Sequence, residues 1–277
     1  MSLIAGASCL AGCVARAPGR VAVPSAACES AEQEAAVRAI AAASPAGAFG
    51  AATFRSGEAD LPYRLLEPPD STRGGRHPLV LVLHGSGAIG TDNQAQLGAF
   101  ARAWARPELR QRFPAYVVVP HFAERSAVYA PDARDGLLAS RGTPALTTAL
   151  SLVDHLAATR PVDARRVYVV GFSMGASAAW HALLLRPGRF AGAVAIAGVP
   201  PERAAAPALA RTPLLVVHGA ADPENPDEPA AAMYRAVTAA GSRRVRFWEL
   251  QGPGHCVPAG IMADTSWREW LFSQRLP

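Results

Sequence analysis

Lysine is absent from this chain. All 27 of its basic residues are arginine, against 22 acidic residues, for a formal net charge of +5. The excess is scattered rather than gathered: the densest groups are Arg165-Arg166 and Arg243-Arg244 with Arg246, beside expected strands. No basic stripe interleaved with aromatics results, so nucleic-acid binding is not expected. Long apolar runs are missing too, and nothing approaches the roughly 18 residues that a spanning helix needs. The four cysteines, Cys9, Cys13, Cys28 and Cys256, have no C-x-x-C spacing, which argues against a zinc or thiol-redox motif. Neither H-E-x-x-H nor a cluster of carboxylates occurs, so no catalytic metal and no other cofactor is expected.

What is plentiful is apolar surface. Hydrophobic residues make up 50% of 277, which excludes disorder of the whole chain and suits one domain with a core covered on both faces. Apolar runs at 62–66, 78–83, 115–119, 166–170, 192–197, 213–217 and 244–250 alternate with helical patterns at 92–112, 143–159, 174–186, 228–241 and 263–274. The later runs are nearly continuous Val, Leu and Ile, the pattern of strands buried on both faces. The expected fold is therefore α/β, a doubly wound, mostly parallel sheet with its functional loops at the strand C-termini. Between the strands ending near Ala197 and starting at Pro213 lie only about fifteen residues, too few for a cap domain, so an open, lidless site is expected.

The domain is expected to span residues 46–277 and to be preceded by a signal-like segment and tether at 1–45, with one packing helix at 29–43. Leu10-Ala11-Gly12-Cys13 resembles the lipobox of bacterial lipoproteins, which makes Cys13 a candidate lipid anchor and export the expectation. Residues 1–12 hold no basic n-region and only a short apolar stretch, which leaves two alternatives. One is an exported, lipid-anchored protein whose start lies at or upstream of Met1; the other is a cytoplasmic protein with an Ala-rich terminus. Export would leave Cys28 and Cys256 free to pair in an oxidising compartment.

Gly171-Phe172-Ser173-Met174-Gly175 stands at the junction of an expected strand and an expected helix. A side chain at the tip of so tight a turn is thrust above the sheet edge, and glycines two before and two after it remove the Cβ atoms that would clash. Ser173 reads as a nucleophile rather than as a plain helix N-cap. A serine hydroxyl is a poor nucleophile until a base takes its proton, and partners follow on later strand ends. Leu214 to Val217 run into His218-Gly219-Ala220-Ala221-Asp222, and the next strand is followed by His255. The order Ser173, Asp222, His255 is nucleophile, acid, base. Asp227, five residues further along the same loop, is the rival acid. His84 and His218 also lie at strand ends, each before a glycine, and are expected to order their loops. His77, His121, His155 and His181 read as surface or packing residues. A tetrahedral intermediate needs donors for its oxyanion; the backbone N–H groups of Met174 and of Ser86, in His84-Gly85-Ser86-Gly87, are the candidates. Trp267, a dozen residues after His255, is the candidate for the wall of a substrate pocket, whereas Trp180, Trp248 and Trp270 are expected in packing.

These residues, with Gly90-Thr91-Asp92-Asn93, Val118-Val119-Pro120 and the ending Trp270-Leu271-Phe272-Ser273-Gln274, resemble the α/β-hydrolase superfamily over about residues 60 to 275. Within it the resemblance is to small esterases grouped with phospholipase/carboxylesterases, polyhydroxybutyrate depolymerases and prolyl-oligopeptidase-like hydrolases. His121-Phe122 departs from a Gln-Cys-Pro common in relatives, and Ala176 replaces a second glycine after the elbow. The resemblance implies ester hydrolysis through an acyl-Ser173 intermediate, acting on a small-molecule or polymer-linked ester. Rival readings are a peptidase, a dienelactone-type hydrolase, which would show Cys at 173, and a catalytically silent fold used for surface binding.

Overall fold

The computed structural model describes residues 19–57, 59–69, 74–252 and 254–277. Cys9 and Cys13 lie outside them, and with them the lipobox-like segment. The architecture is set by a nine-stranded sheet. Its middle is parallel: β4 (His77–Leu83) lies between β5 (Tyr116–Pro120) and β8 (Val162–Phe172), followed by β9 (Gly192–Ile196), β10 (Leu214–Gly219) and β11 (Val245–Gln251). Beyond β5, the strands β3 (Ala59–Leu66) and β2 (Gly50–Ser56) run antiparallel and close one edge.

Alternation along the central strands explains why helices cover both faces. On β4, Leu79, Leu81 and Leu83 join one buried cluster with Val167, Val169 and the helices α4 (Pro144–Thr159), α5 (Met174–Leu185) and α7 (Asp227–Ala239). Val80 and Val82 point the other way, into a second cluster with Val170, Ile196 and Val217. That second face is covered by α1 (Ala31–Ala42) and, near the C-terminus, by α8 (Ala259–Ala263) and α9 (Ser266–Ser273). All seven expected strands are present.

Besides β2, which no expected run covers, three features differ from expectation. Ahead of α1, which packs on the second face as the helix expected at 29–43, Arg20–Pro24 is not part of a tether but forms β1, a parallel edge strand paired with β11. The helix expected over 92–112 is broken into α2 (Ala99–Arg102), a 3-10 turn at Ala103–Ala105, and α3 (Pro107–Arg112). Residues before it turn because the Asp92 carboxylate accepts the N–H groups of Gln94 and Ala95, and Pro107 starts a new helix where it lacks a donor. A hairpin, β6 (Ala127–Pro131) with β7 (Leu138–Gly142), also stands between β5 and α4. Between β9 and β10 only a turn at Arg203–Ala205 and the one-turn α6 (Ala206–Leu209) intervene, so there is no cap domain there.

Candidate active site

β8 delivers Ser173 to the sheet's C-terminal edge, and α5 starts at the next residue. Ser173 has φ 54° and ψ −120°, a conformation that a non-glycine residue adopts only under constraint. Two glycines make the turn possible. A Cβ on Gly171 would run into the backbone of Gly175, and one on Gly175 into the carbonyl groups of Leu83 and His84. The elbow is thereby pressed onto the end of β4. The Ser173 hydroxyl caps nothing in α5; it lies 2.8 Å from His255 Nε2.

The other side of the imidazole is held equally closely. His255 Nδ1 donates to Asp222 Oδ2 at 2.8 Å, leaving Nε2 with its lone pair toward the Ser173 hydroxyl. Asp222 lies in the loop after β10, its carboxylate fully enclosed. Its Oδ1 accepts the backbone N–H groups of Glu224 (3.0 Å) and Asn225 (2.9 Å). Burial alone would raise this carboxyl; the hydrogen bond from His255, then that from Asn225, outweigh burial and hold it below the usual range. Asp227, the rival acid, sits on α7 and faces Arg20 at 3.6 Å, with no contact to His255.

The loop His84-Gly85-Ser86-Gly87 passes over the elbow: a Cβ on Gly85 would meet Phe172 at 3.2 Å and Ser173 Cβ at 3.5 Å. Among the described residues, the backbone N–H groups of Met174 and Ser86 donate to no protein acceptor. Met174 is the first residue of α5, whose initial N–H groups have no partner within the helix. His84 fixes the loop as expected: Nδ1 donates to Gly85 O (2.8 Å) and Nε2 accepts the N–H of Phe122 (3.1 Å). Burial pushes its pKa down to about 4, so the ring is neutral at neutral pH. His218 likewise orders its loop, donating to Asn225 O at 2.8 Å. Among the described residues no group of three His, Cys, Asp or Glu is placed to hold a metal ion.

The phospholipase/carboxylesterase family pattern matches residues 140–267. Among solved structures, a thermostable esterase superposes with a TM-score of 0.74 at 27% identity, covering 83% of this chain and 63% of its own. The chain has the α/β-hydrolase fold. A ferulic acid esterase from the anaerobic fungus Anaeromyces mucronatus shares this hydrolase fold at TM-score 0.59 and 15% identity, with coverage of 82% and 90%. So does the acylaminoacyl peptidase of Pyrococcus horikoshii, at TM-score 0.53 and 13% identity, covering 81% of this chain and 40% of the peptidase. No curated protein matches the sequence. This α/β-hydrolase chain thus spans less than two thirds of the length of the thermostable esterase.

Within the hydrolase fold, three features escape a reading of the sequence. His121, expected as a bland packing residue, is fully buried; its Nδ1 accepts the N–H of Asn93 (2.9 Å) and its Nε2 donates to Ala88 O (3.0 Å). It therefore braces the segment that follows Ser86, and its place at the end of β5 was the available signal. Trp267 is no pocket wall: it is 1% exposed, donates to Ile261 O at 2.8 Å and packs edge-on against Trp104. The face of α9 that carries it turns into the core, with the buried Arg268 guanidinium 4.2 Å from its ring centre. Finally, α1, expected only in packing, borders the site. A pocket of about 580 Å³ lies beside His255, and α1 forms one of its walls. Cys28, just ahead of α1, is disulfide-bonded to Cys256, the neighbour of His255.

Proposed function

We propose that this chain is a serine esterase acting through an acyl-Ser173 intermediate. The observation that carries this reading is the unbroken relay of two 2.8 Å contacts, Ser173 Oγ to His255 Nε2 and His255 Nδ1 to Asp222 Oδ2, at a strained elbow. His255 takes the hydroxyl proton as Ser173 Oγ bonds to the ester carbonyl carbon. The resulting oxyanion is received by the N–H groups of Met174 and Ser86. Collapse breaks the bond to the alcohol oxygen, to which His255 returns the proton. Water then adds by the same route in reverse, its proton going to His255 and back to Ser173 as the acid departs. Asp222 holds the imidazole tautomer and stabilises the imidazolium. Each role is filled by a group of the chain itself, so the reading calls for no cofactor.

The test is turnover of nitrophenyl acetate by the wild type, Ser173→Ala and His255→Ala, with an aminoacyl nitroanilide beside it. Loss of about 10⁶-fold in kcat in each variant is expected if the residues act as a unit. Equal turnover in Ser173→Ala would overturn the proposal, and faster cleavage of the anilide than of the ester would favour a peptidase. We further infer export to an oxidising compartment, which the Cys28–Cys256 disulfide supports. Anchoring at Cys13 belongs to the same proposal, and labelling the full-length precursor with a radioactive fatty acid tests it: no label at Cys13 would rule the anchor out.

A further inference from the structure

The pocket beside His255 borders the oxyanion loop at His84, Gly85 and Gly87, and takes its apolar walls from side chains that have no part in the relay. Its walls come from α1 (Val37), the α2 segment (Phe100), the end of β8 (Phe172), the loop before α8 (Val257) and α8 itself (Met262). All five are apolar, and Val37, Phe100 and Phe172 are only half-buried by their own packing, which leaves hydrocarbon facing the cavity. Two ties keep α1 in place as a wall. The Cys28–Cys256 disulfide joins the approach to α1 directly to the residue after His255. The buried Gln33 side chain accepts the N–H of Ala259 at 3.1 Å. A volume of about 580 Å³ is of the size that encloses a substantial organic group.

Which half of an ester would enter follows from His255. To expel the alcohol, its Nε2 must reach both Ser173 Oγ and the departing oxygen, so the alcohol lies on the imidazole's side of the carbonyl. The imidazole is itself part of this pocket's lining. We propose that the pocket is the leaving-group site, and that the substrates are esters of apolar alcohols, alkyl or aryl, whose hydrocarbon is seated between α1 and Phe100. This inference rests on the esterase reading. It makes Val37 a specificity-determining residue.

The experiment compares two ester series on the intact, oxidised protein: acetates of ethanol, butanol, hexanol and benzyl alcohol, and ethyl esters of acids of rising length. The first series is expected to gain about three- to fourfold in kcat/KM per methylene and the second to stay nearly flat. Val37→Trp, which fills the cavity, is expected to lower the ratio of kcat/KM for hexyl acetate to that for ethyl acetate at least tenfold. Phe100→Ala, which widens it, is expected to shift the optimum to bulkier alcohols. Binding of fluorescent 2-naphthylmethanol, titrated on the wild type and Val37→Trp, reads the same site without turnover and should weaken about tenfold in the variant. A flat alcohol series, a gain that follows the acyl chain instead, or equal alcohol binding in the two proteins would overturn the assignment. Failure to hydrolyse any ester, ethyl acetate included, would instead overturn the esterase reading.

Discussion

Replacing Asp222 by Asn removes one charge and almost no volume, and the surroundings of the carboxylate decide the consequence. Its Oδ1 accepts two backbone N–H groups, from Glu224 at 3.0 Å and Asn225 at 2.9 Å, so the Asn carbonyl must take that position. The amide NH₂ then replaces Oδ2, 2.8 Å from His255 Nδ1. Two donors would face each other unless the imidazole moves its proton to Nε2. That proton would then point at Ser173 Oγ, also 2.8 Å away, and the ring could no longer accept the hydroxyl proton. A fold-preserving change of tautomer of this kind lowers kcat by about 10⁴, or about 5 kcal/mol at 1.36 kcal/mol per decade. The assay is kcat on nitrophenyl acetate, with thermal melting to show that the variant is folded. Asp227→Asn is the control: that carboxylate pairs with Arg20 at 3.6 Å, and turnover within about twofold of wild type is expected. A loss below about tenfold in Asp222→Asn, or a larger loss in Asp227→Asn, would refute the tautomer argument and the choice of acid.

Other consequences are open to measurement. Cys28→Ser with Cys256→Ser opens a closure between residues 228 apart, which should cost about 2–5 kcal/mol and lower the melting temperature by roughly 10 °C; identical melting with and without the bond would count against it. Buried His84 has its pKa lowered to about 4 in the folded chain, against about 6.5 when unfolded. The unfolded chain alone takes up that proton between the two values, so stability is complete above about pH 6.5 and falls by about 3 kcal/mol on the way to pH 4. Urea midpoints at pH 7, 5.5 and 4.5 check this, and His84→Gln should flatten the part due to this ring. Gly175→Ala drives a Cβ into the Leu83 carbonyl and should cost about 3 kcal/mol or more, read by urea denaturation; a neutral result would contradict the close packing of elbow on strand.

The residues of the relay were legible because each announces itself locally. Ser173 lies between two glycines at a strand-to-helix junction, and Asp222 and His255 each follow a run of apolar residues that reads as a strand. Parallel strands buried on both faces were equally plain, since Val80 and Leu81 must both find cover. What was not legible depends on partners distant in sequence. Arg20–Pro24 is too short and too exposed to declare itself a strand until β11 is there to pair with it. β2 alternates weakly, with Gly50, Ala51 and Ala52 exposed at the sheet's edge. The role of α1 as a pocket wall is set by Cys28 meeting Cys256 from 228 residues away in sequence, a proximity no spacing reveals. The helix expected over 92–112 failed for a local reason that was there to be read, Asp92 ahead of two free N–H groups and Pro107 within the run. Trp267 misled because nearness to His255 in sequence is not nearness to its imidazole; the turn through α8 directs the indole into the core.

The most direct measurement is to treat the wild type and His255→Ala with a fluorophosphonate and to map the adduct by peptide mass spectrometry. Ser173, held 2.8 Å from His255 Nε2, is expected to carry a single, stoichiometric adduct in the wild type and essentially none in His255→Ala. Labelling at another serine, or labelling of Ser173 that does not depend on His255, would contradict the account.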